Sequence, residues 1–151
     1  MKLYKPYKDI YETMYYLLLQ VKDSLKFADN WLPDNIGNDT EYLYKLLKSC
    51  TKFHDDTKGE ELIQSMQTLF EHNVHGKSGY GDCDCFVTTV TACCAVLNIP
   101  CMIVLAGRDK KEPVHIYNMV YDNGEWIPFD LTNNYYGEKR FYPFTQKINV
   151  I

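Results

Sequence analysis

The stretch GDCDCFVTTVTACCAVLNIPCMIVLA, residues 81–106, decides how the chain folds. Its apolar character is nearly continuous, yet two features divide it. Asn98 and Pro100 end a first segment, Asp84 to Asn98, in which Phe86, Val87, Val90, Ala92, Cys93, Cys94, Val96 and Leu97 leave almost no polar face. Such a segment is predicted to be a helix buried in the core, in spite of its β-branched residues. The uninterrupted run Cys101 to Ala106 then reads as a buried strand. Upstream, Gly76, Gly79 and Gly81 allow backbone conformations closed to other residues, so a special turn is expected to deliver the chain to Cys83.

Downstream of the strand, Gly107 to Pro113 reads as a charged loop. Val114 to Tyr121 and Glu125 to Asp130 read as two strands around Asn123-Gly124, a strong hairpin signal. A two-residue turn there pairs Asp122 with Glu125, Tyr121 with Trp126 and, farther out, Tyr117 with Asp130. Pro128 then falls opposite Met119 at a non-hydrogen-bonded pair, where its missing N–H costs the ladder nothing. In this register His115, Tyr117 and Asp130 share one face, with His115 and Asp130 as diagonal neighbours ~7–8 Å apart at Cα.

Towards the start of the chain, Ile10, Met14, Leu17, Leu18, Val21 and Leu25 form one stripe of a helix over Asp9 to Ala28. A loop over Asp29 to Asp39 leads to an N-cap at Asp39 or Thr40 and a second helix with Leu43, Leu46, Leu47 and Cys50 inward. The polar segment His54 to Gly59 reads as a turn, and Leu62, Ile63, Met66, Leu69 and Phe70 as a third helix.

The length of 151 residues fits one domain, 1–151, with a helical part over 1–53 and a core over 54–151. Hydrophobic residues make up 46% and aromatic residues 15%, which excludes a disordered chain. A net charge of −4 and no basic stripe give nucleic acid nothing to bind. The longest apolar stretch near the start is too short to span a bilayer, and no small-residue cleavage site follows it, so a cytoplasmic protein is expected. Six cysteines in that setting read as reduced thiols rather than a disulfide framework.

One of those thiols stands apart. Cys83 opens the buried helix, where unpaired N–H groups and the helix dipole favour a thiolate and leave donors for an oxyanion. A thiolate of that kind is expected to alkylate at pH 6, ahead of ordinary thiols. Of the four histidines, only His115 lies within a confident strand, which makes it the candidate base. A structural zinc site built on Cys83, Cys85, Cys93 and Cys94 with His72 or His75 is disfavoured by spacing, since no C-x-x-C pair occurs.

Gly81-Asp82-Cys83-Asp84, Leu97-Asn98-Ile99-Pro100, His115-Ile116-Tyr117 and Trp126-Ile127-Pro128-Phe129-Asp130-Leu131-Thr132 together resemble the transglutaminase-like superfamily, over about half the chain. The resemblance implies that Cys83 is the nucleophile, His115 the base and Asp130 the residue that orients it. The Gly-Asp-Cys-Asp form is similar to that of small single-domain members from bacteria and tailed phages. Those members commonly carry a second aspartate where this chain has Cys85, and an arginine where it has Met102. The additional oxyanion donor of the family is not marked by a motif; Gln64, Gln67 and Tyr80 are the candidates.

The expected architecture is therefore α+β and papain-like, with N-terminal helices on a C-terminal antiparallel sheet and the Cys83 helix buried between them. The expected activity is attack on an amide of a protein or peptide substrate through an acyl-enzyme, resolved by water or an amine, with no cofactor or metal. The alternative from another class is a catalytically silent binding or assembly module, for instance within a phage particle. The first helix, with Tyr4, Tyr7, Tyr11, Tyr15 and Tyr16, serves either as a partner-binding face or as packing. Tyr135, Tyr136, Phe141, Tyr142 and Phe144 either line a substrate groove beside Asp130 or cover the sheet edge.

Overall fold

Every apolar segment named above finds its partner across a single core. The computed structural model describes residues 2–6, 10–55, 60–108 and 113–150. In chain order they form β1 (Lys2–Pro6), α1 (Ile10–Trp31), α2 (Thr40–Cys50), β2 (Lys52–Phe53), β3 (Glu60–Gln64) and α3 (Met66–Glu71). There follow β4 (Tyr80–Gly81), α4 (Cys83–Leu97), β5 (Cys101–Gly107), β6 (Pro113–Asp122), β7 (Glu125–Phe129) and β8 (Phe144–Asn149).

Helix α4 is the centre of the molecule. Residues 84–94 are buried on every side, because α1 covers one flank and strands β5 and β6 the other. A helix with no polar face can exist only in such a position. It ends where Asn98 turns left-handed, at φ 57°, and its N–H returns to the carbonyls of Cys94 and Ala95. Ile99 N–H also closes on Cys94 O, so the last carbonyls are satisfied before Pro100 prevents continuation.

The main sheet is antiparallel in the order β7-β6-β5-β8. The β6–β7 hairpin has Asp122 opposite Glu125, Tyr121 opposite Trp126 and Met119 opposite Pro128, the register that the Asn-Gly turn dictates. Both turn residues adopt positive φ, 50° at Asn123 and 85° at Gly124, as a type I′ turn requires. Regular pairing stops at Asn118 and Phe129, so Asp130 sits one residue past the strand instead of opposite Tyr117 in the ladder.

Three expectations need correction. The third helix is shorter: Glu60–Gln64 is a strand paired antiparallel with β1, and only Met66–Glu71 is helical. Periodicity alone favoured a helix throughout, but β1 supplies the hydrogen bonds of a ladder, and Ser65 caps the new helix by accepting the Thr68 N–H. Secondly, the buried stripe of α1 runs through Met14, Leu17, Val21 and Ala28, with Gln20 and Ser24 also buried, while Leu18 and Leu25 face solvent. Ser24 is inside because its hydroxyl accepts the Met66 N–H at the start of α3. Thirdly, Gly107 and Pro113 belong to strands β5 and β6, so the charged loop between them is shorter than expected; its residues 109–112 lie outside the described ones, as do residues 56–59 of the turn after His54. The side chains of Tyr4, Tyr7 and Tyr11 are likewise outside the description, whereas Tyr15 is 61% exposed and Tyr16 packs on the core. No helix among the described residues is long and apolar enough to cross a membrane.

Candidate active site

Two glycines bring the chain to Cys83. Gly79 has φ +83°, and a Cβ there would stand 1.9 Å from the carbonyl oxygen of Cys50. Its own carbonyl accepts the Lys52 N–H, and Gly81 O accepts the His54 N–H, so short parallel pairing of β2 with β4 holds the approach against the end of α2. Gly81 lies so close to the Cys85 side chain that a Cβ would sit 2.9 Å from Cys85 Cβ. Only a bare backbone fits at these two points.

From there Asp82 stands at the N-cap position of α4 and Cys83 is the first residue of the helix. The Cys83 sulfur lies against the backbone N–H of Ile116 on β6, the residue that follows His115, and against its own N–H. It lines a narrow crevice of about 160 Å³ with Phe86, Ile116, Asp130 and Leu131 among the walls, nowhere wide enough for a water. Burial pushes the thiol up to about 12, and the nearby Asp82 charge adds to this, while the two N–H contacts pull the other way. Burial of the thiol thus works against the thiolate that the helix N-terminus was expected to favour. Desolvation of the charged form outweighs the dipole.

His115 and Asp130 meet as the hairpin register implied. His115 Nε2 and Asp130 Oδ2 are 2.6 Å apart, with side chains 16% and 5% exposed. Asp130 Oδ1 accepts from both the N–H and the hydroxyl of Thr132, at 2.9 and 2.7 Å. Burial works to raise the Asp130 carboxyl, but the His115 hydrogen bond and charge, with the Thr132 donors, hold it below the usual carboxylate range. The imidazole thus spends Nε2 on the carboxylate and keeps Nδ1 for other work. Tyr117 and Tyr142 flank it, with ring centroids 5.7 and 5.8 Å from that of His115.

The turn carrying Asp130 is anchored from below by α2, which the sequence reading did not assign to the site. Tyr44 donates its hydroxyl to Asp130 O and Asn133 O, and Lys48 Nζ donates to Leu131 O at 2.6 Å. Their four-residue spacing on one helix face is the signal that was available. Of the C-terminal aromatics, Phe141 and Tyr142 line a groove with Asp130. Tyr136 packs instead on Tyr44 and Phe129, and Phe144 begins edge strand β8.

The candidate oxyanion donors have partners of their own. Gln64 is fully buried, and its amide donates to Tyr80 O and towards Cys85 Sγ while accepting from Val74 N–H. Gln67 bonds Glu71 on the exposed side of α3. Tyr80 has its carbonyl taken by Gln64 and Asn73, and its ring lies 6.3 Å from that of His54. Cys85, whose role the sequence left open, is a fully buried thiol that burial keeps protonated. Among the described residues no three His, Cys, Asp or Glu side chains gather as a metal site.

Comparison with known proteins shows the family of the chain. The family model of the transglutaminase-like superfamily matches residues 26–131, a span that includes Cys83, His115 and Asp130. The chain belongs to the transglutaminase-like superfamily. Among solved structures, this transglutaminase-like chain is similar to a "Putative Cysteine Protease" from Cytophaga hutchinsonii, at 16% identity and a TM-score of 0.43. The similarity covers 89% of this chain and 42% of that one, so the transglutaminase-like domain described here spans less than half the length of its neighbour. No curated protein matches.

Proposed function

We propose that this transglutaminase-like protein is a thiol enzyme that opens an amide bond through an acyl-enzyme on Cys83. The observation that carries the reading is the 2.6 Å His115–Asp130 pair set on the strand whose next N–H touches the Cys83 sulfur. In the resting state the thiol is protonated. Held through Nε2, His115 takes the Cys83 proton on Nδ1 as the sulfur attacks the amide carbonyl carbon. Developing charge on the carbonyl oxygen is met by N–H groups at the start of α4. His115 then returns the proton to the departing amine, leaving a thioester. Water releases the acid in a peptidase or amidohydrolase reaction, and an amine releases a new amide in acyl transfer; a hydrolytic outcome is the reading favoured here. Asp130 is the positioning residue that keeps the imidazole in the tautomer this cycle needs.

One observation favours a second reading, a catalytically silent module. The Cys83 thiol lines a crevice too narrow for a water and is raised to about 12 rather than lowered. Phe86 and Leu131 border both that crevice and the open cleft beside His115. Incubating the protein with glutamine-containing and lysine-isopeptide peptides, with and without a primary amine, separates the two. The enzyme reading expects deamidated, cleaved or amine-linked products with the wild type and none with Cys83→Ala or His115→Ala. Products equally abundant with Cys83→Ala, or absent throughout, favour the silent module.

A further inference from the structure

Resting on the amide-bond reading, we propose that the substrate of this site is an acidic peptide, recognised by cations around the cleft beside His115. That cleft encloses about 720 Å³, and the charged side chains lining it with His115 are Lys48, Lys52 and Arg140. No carboxylate lines it among the described residues. In a chain of net charge −4 such a concentration of one sign runs against the overall balance. A concave site lined by one sign of charge raises the local concentration of ligands of the opposite sign.

The nearby carboxylates Asp130 and Glu138 stand outside the lining. Asp130 is engaged by His115 and Thr132. Glu138 takes the Asn134 N–H on one oxygen and faces Arg140 Nε at 3.4 Å on the other. Arg140 is shared between Glu138 and Thr132 O at long range, and its exposed fork has donors left for a ligand. Lys48 spends one donor on Leu131 O and retains two more, and burial lowers its pKa, the response of an ammonium short of solvation. Lys52 is exposed on β2. These cations come from two parts of the chain, residues 48–52 and Arg140, and not from a nest of backbone N–H groups. Dispersed cations of this kind suit carboxylates spaced along an extended peptide better than a single phosphate.

The test uses Cys83→Ala protein, so that binding is read without turnover, and two peptides, acetyl-Ala-Glu-Gln-Glu-Ala-amide and acetyl-Ala-Gln-Gln-Gln-Ala-amide. Isothermal titration at low ionic strength is expected to give at least about five-fold tighter binding of the acidic peptide. That preference is expected to vanish in a Lys52→Gln/Arg140→Gln double variant, whose exposed positions leave the fold intact by circular dichroism, and to fade at high salt. Equal binding of the two peptides, binding of neither, or a preference that survives the double variant overturns the proposal. Because the sulfur is absent, these outcomes leave the acyl-enzyme reading untouched. Failure of wild-type Cys83 to acylate, in turn, leaves the charge preference readable.

Discussion

The carboxylate of Asp130 makes three hydrogen bonds, two with Thr132 and one with His115. Thr132 fixes the carboxylate plane through Oδ1, which leaves Oδ2 aimed at His115. Asp130→Asn keeps the shape but replaces an acceptor with an amide that can donate, which destabilises the tautomer needed for proton transfer. Acylation of Cys83 is expected to fall by about 10³–10⁴-fold, measured as acyl-enzyme formation by intact mass. The native carboxyl lies below its unfolded value, so its contribution to stability is present above about pH 4 and is lost as pH falls further. Urea midpoints across pH 2–6 are expected to drop more steeply for the wild type than for Asp130→Asn. Cys83 works in the opposite sense. Its native value of about 12 exceeds that of a free thiol near 8.5, so the protonated form stabilises the fold below that point and the gain is lost as pH rises. Iodoacetamide labelling of Cys83 is accordingly expected to climb steadily from pH 6 into the alkaline range. A rate already at its plateau at pH 6 contradicts this account.

At the scale of elements, the approach to α4 is held by space as much as by torsion. Gly76 and Gly79 both have φ near +80°, but a Cβ on Gly76 meets open solvent while one on Gly79 meets the Cys50 carbonyl. Gly76→Ala is therefore expected to cost about 1 kcal/mol and Gly79→Ala about 3 kcal/mol or more, read from urea denaturation. Equal losses would mean that the close packing of α2 against this turn is not what holds it. This is also where the limits of sequence reading are plain. The hairpin was legible because Asn123-Gly124 fixes register locally, and the buried helix because residues 84–97 have no polar face. The β3 strand was not, since Leu62 and Ile63 take their structure from β1, some sixty residues away in sequence. Strand β8 was missed because an edge strand half exposed to solvent carries polar residues such as Gln146 and Lys147. Cys83, His115 and Asp130 lay within motifs, whereas Tyr44, Lys48, Lys52 and Arg140 are charged or polar residues whose meaning appears only when separate elements converge.

For the whole molecule, burial divides the six thiols. Cys85, Cys93, Cys94 and Cys101 are fully enclosed, while Cys50 and Cys83 are partly exposed. Native alkylation at alkaline pH is expected to stop at two labels per chain, with the other four modified only in denaturant, as counted by intact mass. Such a chain offers an acylating reagent two thiols, of which Cys83 alone faces the strand that carries His115. The most direct test of the central claim is to treat the native protein with p-nitrophenyl acetate, quench, and map the acetyl group by peptide mass. The account predicts acetylation on Cys83, absent in Cys83→Ser and slowed at least 100-fold in His115→Ala. Acetyl confined to Cys50, or a Cys83 rate unchanged by His115→Ala, would contradict it.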